Sequence, residues 1–216
     1  MKIWTIVVAA GEGFRFGSRK QLAELAGIPV LLHSVITASA ISDGIVVVTS
    51  EEDIEFVESC LKNIDQFCEV VKGGASRSAS VRCGLVKVPH DCETVIVHDG
   101  VRPLASKKLF ELVIEKIKDG AEAVVPVVPI TDSLRSVNGK RINRDEVVAV
   151  QTPQAFNATL LREAYLSDED ATDDSSLVEL VGGTIDFVDG DPSNLKITVS
   201  SDLLIAEHFL IGKKSV

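Results

Sequence analysis

Residues 3–21 read Ile3-Trp4-Thr5-Ile6-Val7-Val8-Ala9-Ala10-Gly11-Glu12-Gly13-Phe14-Arg15-Phe16-Gly17-Ser18-Arg19-Lys20-Gln21, and the order of types in this stretch decides the fold. The apolar run from Ile3 to Ala9 falls far short of the roughly 20 residues that cross a bilayer. It is also too uniformly apolar for a strand with one wet face, so it predicts a strand buried on both sides. The lysine and short apolar run at the start imitate a secretory leader, but no small-residue cleavage site follows, and the run is read as the first strand. After it, Gly11, Gly13 and Gly17 let backbone amides approach an anion, and Arg15, Arg19 and Lys20 supply positive charge. This combination predicts a cradle for a triphosphate. Two familiar glycine loops fail on spacing, since Phe16 stands where both require glycine and Gly17 stands where the Walker loop requires lysine. Taken alone, the loop also reads as a tight strand-to-helix connection with solvated basic residues.

Outward from this stretch, apolar runs alternate with amphipathic segments, the pattern of parallel strands joined by helices. Strands are predicted at Ile3–Ala9, Ile45–Thr49, Cys68–Lys72, Thr94–His98, Ala123–Val128, Thr184–Val188 and Lys196–Val199. Pro29 opens a helix to about Ala40. Ser50 and Ser106 are expected N-caps, Gly120 an expected helix end, and a last helix is expected near Asp202–Leu210. The fold class is α/β, a single Rossmann-like, mostly parallel sheet flanked by helices. One segment breaks the alternation: Asn138-Gly139 lies between strand-like flanks and predicts a tight hairpin. The region 133–150 is therefore expected to protrude as an arm. An isolated two-stranded ribbon is marginal in water, so a second subunit is its expected partner; a flap on its own domain is the alternative.

The chain has 216 residues, 45% hydrophobic and 25% charged. That is ordinary globular usage, and one α/β domain over 1–216 is the simplest reading. The net charge of −10 repels a phosphodiester backbone, which argues against nucleic acid as a partner. Cys60, Cys68, Cys83 and Cys92 stand singly, as do His33, His90, His98 and His208, so neither a disulfide framework nor zinc-site spacing is present. Reduced thiols and a cytoplasmic setting are the expectation.

Further motifs follow in order: Gly73-Gly74-x-x-Arg77-x-x-Ser80-Val81, His98-Asp99-Gly100-Val101-Arg102-Pro103, Gln151-Thr152-Pro153-Gln154-x-Phe156, Thr172-Asp173-Asp174 and Asn194-Leu195-Lys196-Ile197-Thr198. With Ala9-Ala10-Gly11-x-Gly13-x-Arg15-Phe16-Gly17 and Lys20-Gln21, this ordered set resembles the 2-C-methyl-D-erythritol 4-phosphate cytidylyltransferases of the sugar-phosphate nucleotidyltransferase superfamily. The chain departs from that family at Val8, usually proline, and at Ser133, usually threonine.

The resemblance implies attack by a polyol phosphate on the α-phosphorus of CTP, with Arg15, Lys20 and Lys196 as catalytic cations. It implies CTP binding by Ala9, Ala10, Gly11, Gly13, Gly74, Ser80 and Asp99, and polyol-phosphate binding by Arg102, Ser133, Arg144, Thr152 and Thr172. Asp99 is the implied ligand of Mg2+, which favours oxygen donors shared with substrate phosphates; its alternative reading is an aspartate that begins a turn with Gly100. His98 is read as a structural hydrogen-bonder, because the phosphate nucleophile is already ionised. The arm residues imply a polyol site shared across a homodimer. A ribitol-5-phosphate cytidylyltransferase shares this loop chemistry, and a nucleotide-sensing protein without turnover is the reading from another class.

Overall fold

The computed structural model describes residues 1–11, 16–17, 19–167 and 169–213. In chain order the strands are β1 (Ile3–Val8), β2 (Glu24–Leu25), β3 (Ile28–Pro29), β4 (Gly44–Thr49), β5 (Cys68–Lys72), β6 (Thr94–Asp99), β7 (Ala123–Pro129), β8 (Leu134–Arg135), β9 (Arg141–Ile142), β10 (Val148–Val150), β11 (Gln154–Asn157) and β12 (Ile185–Asp189). The helices are α1 (Val30–Ser39), α2 (Ile54–Leu61), α3 (Arg77–Leu85), α4 (Lys107–Lys118), α5 (Ala158–Ala164), α6 (Asp174–Leu180) and α7 (Ser200–Lys213). An eight-stranded sheet runs β10-β7-β11-β6-β1-β4-β5, with β12 paired to β7. Its β1, β4, β5 and β6 are parallel neighbours, while β10 and β11 run antiparallel to the strands beside them.

The continuous apolar runs form strands because both sheet faces are covered. Along β1, Val7 packs into one layer with Leu31 and Val35 of α1, Val57 of α2 and Phe110 of α4. Its neighbour Ile6 points into the other, with Val81 and Leu85 of α3, Leu161 of α5 and Leu177 of α6. This two-residue alternation repeats at Val46 and Val47 of β4 and at Ile96 and Val97 of β6. A third cluster joins Leu25, Val30, Val101 and Ile197 to Ala206 of α7.

Local signals are realised with informative exceptions. Ser106 caps α4 by accepting the Leu109 N–H at 3.2 Å, and Gly120, at φ +104°, ends that helix. Ser50 instead donates to the Asp53 carboxylate at 2.8 Å, ahead of a single 3-10 turn, Glu51–Asp53, that precedes α2. A hairpin forms as β8 against β9, with Gly139 at φ +88° in the left-handed region that glycine enters without penalty, but the end of the range expected to protrude, Val148–Val150, is β10 and pairs with β7 in the central sheet.

One predicted strand is absent. Lys196–Val199 lies off the sheet, with the Ile197 N–H bonded to the Val101 carbonyl at 2.9 Å. The Thr198 and Val199 amides are taken by the Asp202 carboxylate at 2.6 and 2.9 Å. Those bonds turn the chain into α7, and Ile197 is buried in the third cluster rather than in a ladder.

Candidate active site

From β1 the sheet grows to β4 and β5 on one side and to β6 on the other, which makes the gap between β1 and β6 a switch point. Open α/β sheets bind ligands beyond the carboxyl ends of strands at such points. The register sets Val8 opposite Asp99. The Ala9 N–H is tied to the Val48 carbonyl at 2.7 Å, and the Gly100 N–H to that of Val8 at 2.9 Å. Above these ends opens a cavity of about 480 Å3, walled by Ala9, Ala10, Gly11, Lys20, Gln21, Gly74, Arg77, Ser80, Asp99 and Lys196 among others. A groove of about 520 Å3 beside Cys68 and Glu69 lies at the opposite, amino end of β5. A gap of about 10 Å3 near Leu22 and Phe56 has apolar walls. Of these three, the cationic cavity at the switch point is the one suited to a phosphorylated ligand.

Its walls are organised around Asp99. Oδ2 receives Lys196 Nζ at 2.8 Å and faces Arg102 Nε at 3.5 Å, while Oδ1 pairs with Arg77 Nε at 3.2 Å. Arg77 Nη2 also pairs with Asp174 Oδ2 at 2.7 Å, and the Tyr165 hydroxyl donates to Asp174 Oδ1. Within this cluster three cations face two carboxylates, and Lys20 also lines the wall. Burial alone would raise the Asp99 carboxyl, but Arg77, then Lys196 and Arg102, hold it well below the usual carboxylate range. Burial likewise opposes the charge of Arg77, yet Asp174 and Asp99 outweigh it and push the guanidinium up. For Arg102 burial wins and the shift is downward, though a guanidinium remains charged. Burial and the Asp174 charge push the Tyr165 hydroxyl up, which keeps it a donor.

The opposite wall is built by close approach. A Cβ on Gly73 would stand 2.4 Å from the Cβ of Ala10 and 2.9 Å from Ser80 Oγ, so only glycine lets the end of β5 meet the loop after β1. Gly74 N–H then donates to Ser80 Oγ at 3.2 Å, and Ser80 Oγ donates to the Ser76 carbonyl at 2.8 Å. Ser76 caps α3 by accepting the Ala79 N–H at 3.1 Å.

The structure thus brings together Ala9, Ala10, Gly11, Lys20, Gly74, Ser80, Asp99 and Lys196 from the sequence reading. Gly13 and Arg15 lie outside the described residues. Arg102 is buried behind Asp99, donating to the Asn194 carbonyl at 2.9 Å and toward that of Val150 at 3.4 Å. Thr152 is buried too, accepting the Asp99 N–H at 3.0 Å and lying 3.1 Å from His98 Nδ1. Thr172 is exposed beside the cavity-forming turn of α3, while Ser133 and Arg144 are exposed on the arm and do not line the cavity. Arg144 Nη1 donates to the Thr131 carbonyl at 2.7 Å. Burial lowers His98 to about 3, so it stays neutral, in keeping with a structural role. Sequence reasoning did not single out Gln21, Arg77 or Asp174. Arg77 and Asp174 stand inside quoted motifs, but no spacing along the chain announces that they meet.

A mostly parallel sheet whose switch point opens on a cationic, glycine-walled cavity defines an α/β nucleotide-binding protein of the nucleotidyltransferase class. Residues 3–212 match the family described as 2-C-methyl-D-erythritol 4-phosphate cytidylyltransferase, and the chain belongs to that family. It is 37% identical to the protein of that name from Saccharopolyspora erythraea, over 97% of this chain and all of the relative (100%). It is also 37% identical to the bifunctional enzyme IspD/IspF of Solidesulfovibrio magneticus, covering 94% of this chain but only 56% of that longer protein. Among solved structures, the 4-diphosphocytidyl-2C-methyl-D-erythritol synthase of Anaerococcus prevotii superposes with a TM-score of 0.85 at 32% identity, over 97% of this chain and 98% of that one.

The ion-paired state of Asp99 has a measurable signature. Because its folded value is depressed, its contribution to stability is complete above the ordinary value of 3.8 and is lost as pH falls from there toward the folded value. Asp99→Asn should therefore destabilise by about 1–3 kcal/mol at neutral pH, since buried Arg102 loses its carboxylate while Arg77 keeps Asp174 and Lys196 is partly exposed. In acid unfolding the gap to wild type should narrow below pH ~4; parallel curves at every pH would show that the carboxylate is not ion-paired.

Proposed function

We propose that the cavity binds CTP and directs its α-phosphorus toward a polyol phosphate, 2-C-methyl-D-erythritol 4-phosphate, giving the CDP-linked polyol and pyrophosphate. The observation that carries this reading is the cationic wall of Lys20, Arg77 and Lys196 facing the glycine turn at the sheet's switch point. An oxygen of the acceptor phosphate forms a bond to the α-phosphorus. The bond from that phosphorus to the α,β-bridging oxygen breaks, and pyrophosphate departs with the electron pair. No general base is needed, since the nucleophile is already ionised. Holding two mutually repelling anions in line and neutralising charge on the reacting phosphorus is the protein's task. Lys20 and Lys196 flank the cavity for this purpose, with Arg15 assigned to the same role by its motif. Gly74 and Ser80 form the wall that reads the base.

Magnesium is tested by the donor set. Among the described residues no group of three or more His, Cys, Asp or Glu could hold a metal, and both oxygens of Asp99 face cations. The described residues offer no cage, but a lone carboxylate beside a triphosphate suits a magnesium ion that arrives with the nucleotide. Asp99 would then hold it, and the ion would neutralise phosphate charge. Since Ser133 and Arg144 stand apart from the cavity of their own chain, the reading includes a homodimer whose arm completes the acceptor site.

The deciding experiment mixes the protein with CTP, magnesium and either methylerythritol phosphate or ribitol 5-phosphate and follows pyrophosphate. Release with the first acceptor is expected; turnover confined to ribitol 5-phosphate overturns the choice of acceptor, and CTP binding without release from either points to a sensor. Lys20→Ala should lower kcat by about 10²- to 10³-fold with the thermal midpoint little changed, and an undiminished rate would remove Lys20 from the mechanism. Arg144→Ala should raise the half-saturation of the acceptor far more than that of CTP, whereas an equal effect on both contradicts the role of the arm.

A further inference from the structure

The first turn of α3 faces two ways. Gly74, Ser76, Arg77 and Ser80 line the nucleotide cavity. From the same turn, three consecutive side chains reach across to residues 170–174. Ser76 Oγ donates to Asp170 Oδ1 at 2.7 Å, and Arg77 Nη2 pairs with Asp174 Oδ2 at 2.7 Å. Between them Ser78 Oγ donates to the Ala171 carbonyl at 2.8 Å and accepts the Ala171 N–H at 3.0 Å. Ser78 is only 1% exposed and takes no part in the cavity wall. A hydroxyl is both donor and acceptor, so one side chain satisfies both backbone groups of one residue and fixes its position and its rotation. The next residue, Thr172, is exposed.

We propose that Ser78 is a positioning residue for the acceptor phosphate: by clasping Ala171 it fixes Thr172 relative to the wall that holds the nucleotide. The proposal rests on the reading that Thr172 belongs to the acceptor site. Removing the hydroxyl takes the side-chain partner from the part-buried N–H and carbonyl of Ala171, so its cost falls on the 170–174 segment. Gly74 and Ser80 keep their places, because they are held by the Gly74–Ser80–Ser76 hydrogen bonds and not by Ser78.

Steady-state kinetics on three variants tests this. Ser78→Ala should raise the acceptor KM about tenfold while leaving the CTP KM within about twofold, and Ser78→Thr, which keeps the hydroxyl, should recover most of the loss. A Thr172→Ala variant with unchanged acceptor KM would sink the underlying assignment of the segment. If Thr172→Ala does raise it, three results overturn the role of Ser78 alone. These are an acceptor KM in Ser78→Ala shifted by less than about twofold, equal changes in both KM values, or a Ser78→Thr no better than Ser78→Ala. Should Ser78→Ala lack a cooperative thermal transition, Ser78→Cys carries the test, because its thiol fills much the same space and is only a weak hydrogen-bonding group. A raised acceptor KM with unchanged CTP KM supports the clasp, and no change in either overturns it.

Discussion

The site depends on one buried carboxylate surrounded by cations. A carboxyl placed where Asp99 lies would give up its charge if it had no partners, because burial favours the neutral form. Arg77, Lys196 and Arg102 keep it ionised, and it in turn lets three like charges stand together at the end of one strand. The result is a wall that is cationic before any ligand arrives. On the proposed reading a phosphate would replace an existing ion pair and would not have to order loose side chains, which is the economy of a preorganised site.

The fold serves this arrangement by bringing distant segments to the carboxyl ends of β1 and β6. The stretch that carries Lys196 has no ladder of its own and is fastened by side chains instead. Gln151 Nε2 donates to the Asp191 carbonyl at 2.9 Å and its Oε1 accepts the Asp191 N–H at 3.1 Å. Asn194 Nδ2 donates to the Thr152 carbonyl at 2.9 Å, and Arg102 donates to the Asn194 carbonyl at 2.9 Å. Arg102 and Thr152 thus stand at the junction of the cavity wall and the base of the arm, with Thr152 also holding the amide of Asp99. Most of this network is paired, although among the described residues Asn194 Oδ1 and Arg102 Nε are buried without a hydrogen-bond partner.

Strands covered on both faces were legible because an apolar run has one economical use in an α/β chain; Cys68–Lys72 was read to its ends, and the hairpin followed from Asn138-Gly139. The same rule misled at Lys196–Val199, where Ile197 is buried by a loop cluster and Asp202 takes the amides a strand would offer. The segments that became β11, α5 and α6 carry short patterns that tertiary packing decides. At the site, the glycines and basic residues near Lys20 were visible because anion binding needs them adjacent in sequence. Arg77 was not, since its two carboxylates come from β6 and from the start of α6 and meet it only in the fold. Ser78 offered no signal at all: a serine in a helix is ordinary until Ala171 is brought beside it.

The central claim is that Lys20 and Lys196 flank the phosphates of a nucleotide whose base rests against Gly74 and Ser80. A crystal structure with CTP and magnesium tests it most directly. The account predicts the triphosphate over the ends of β1 and β6, with the Lys196 ammonium moved from Asp99 to a phosphate oxygen. Nucleotide seated in the groove at the amino end of β5, with the Asp99–Lys196 pair undisturbed and the glycine turn bare, would contradict it.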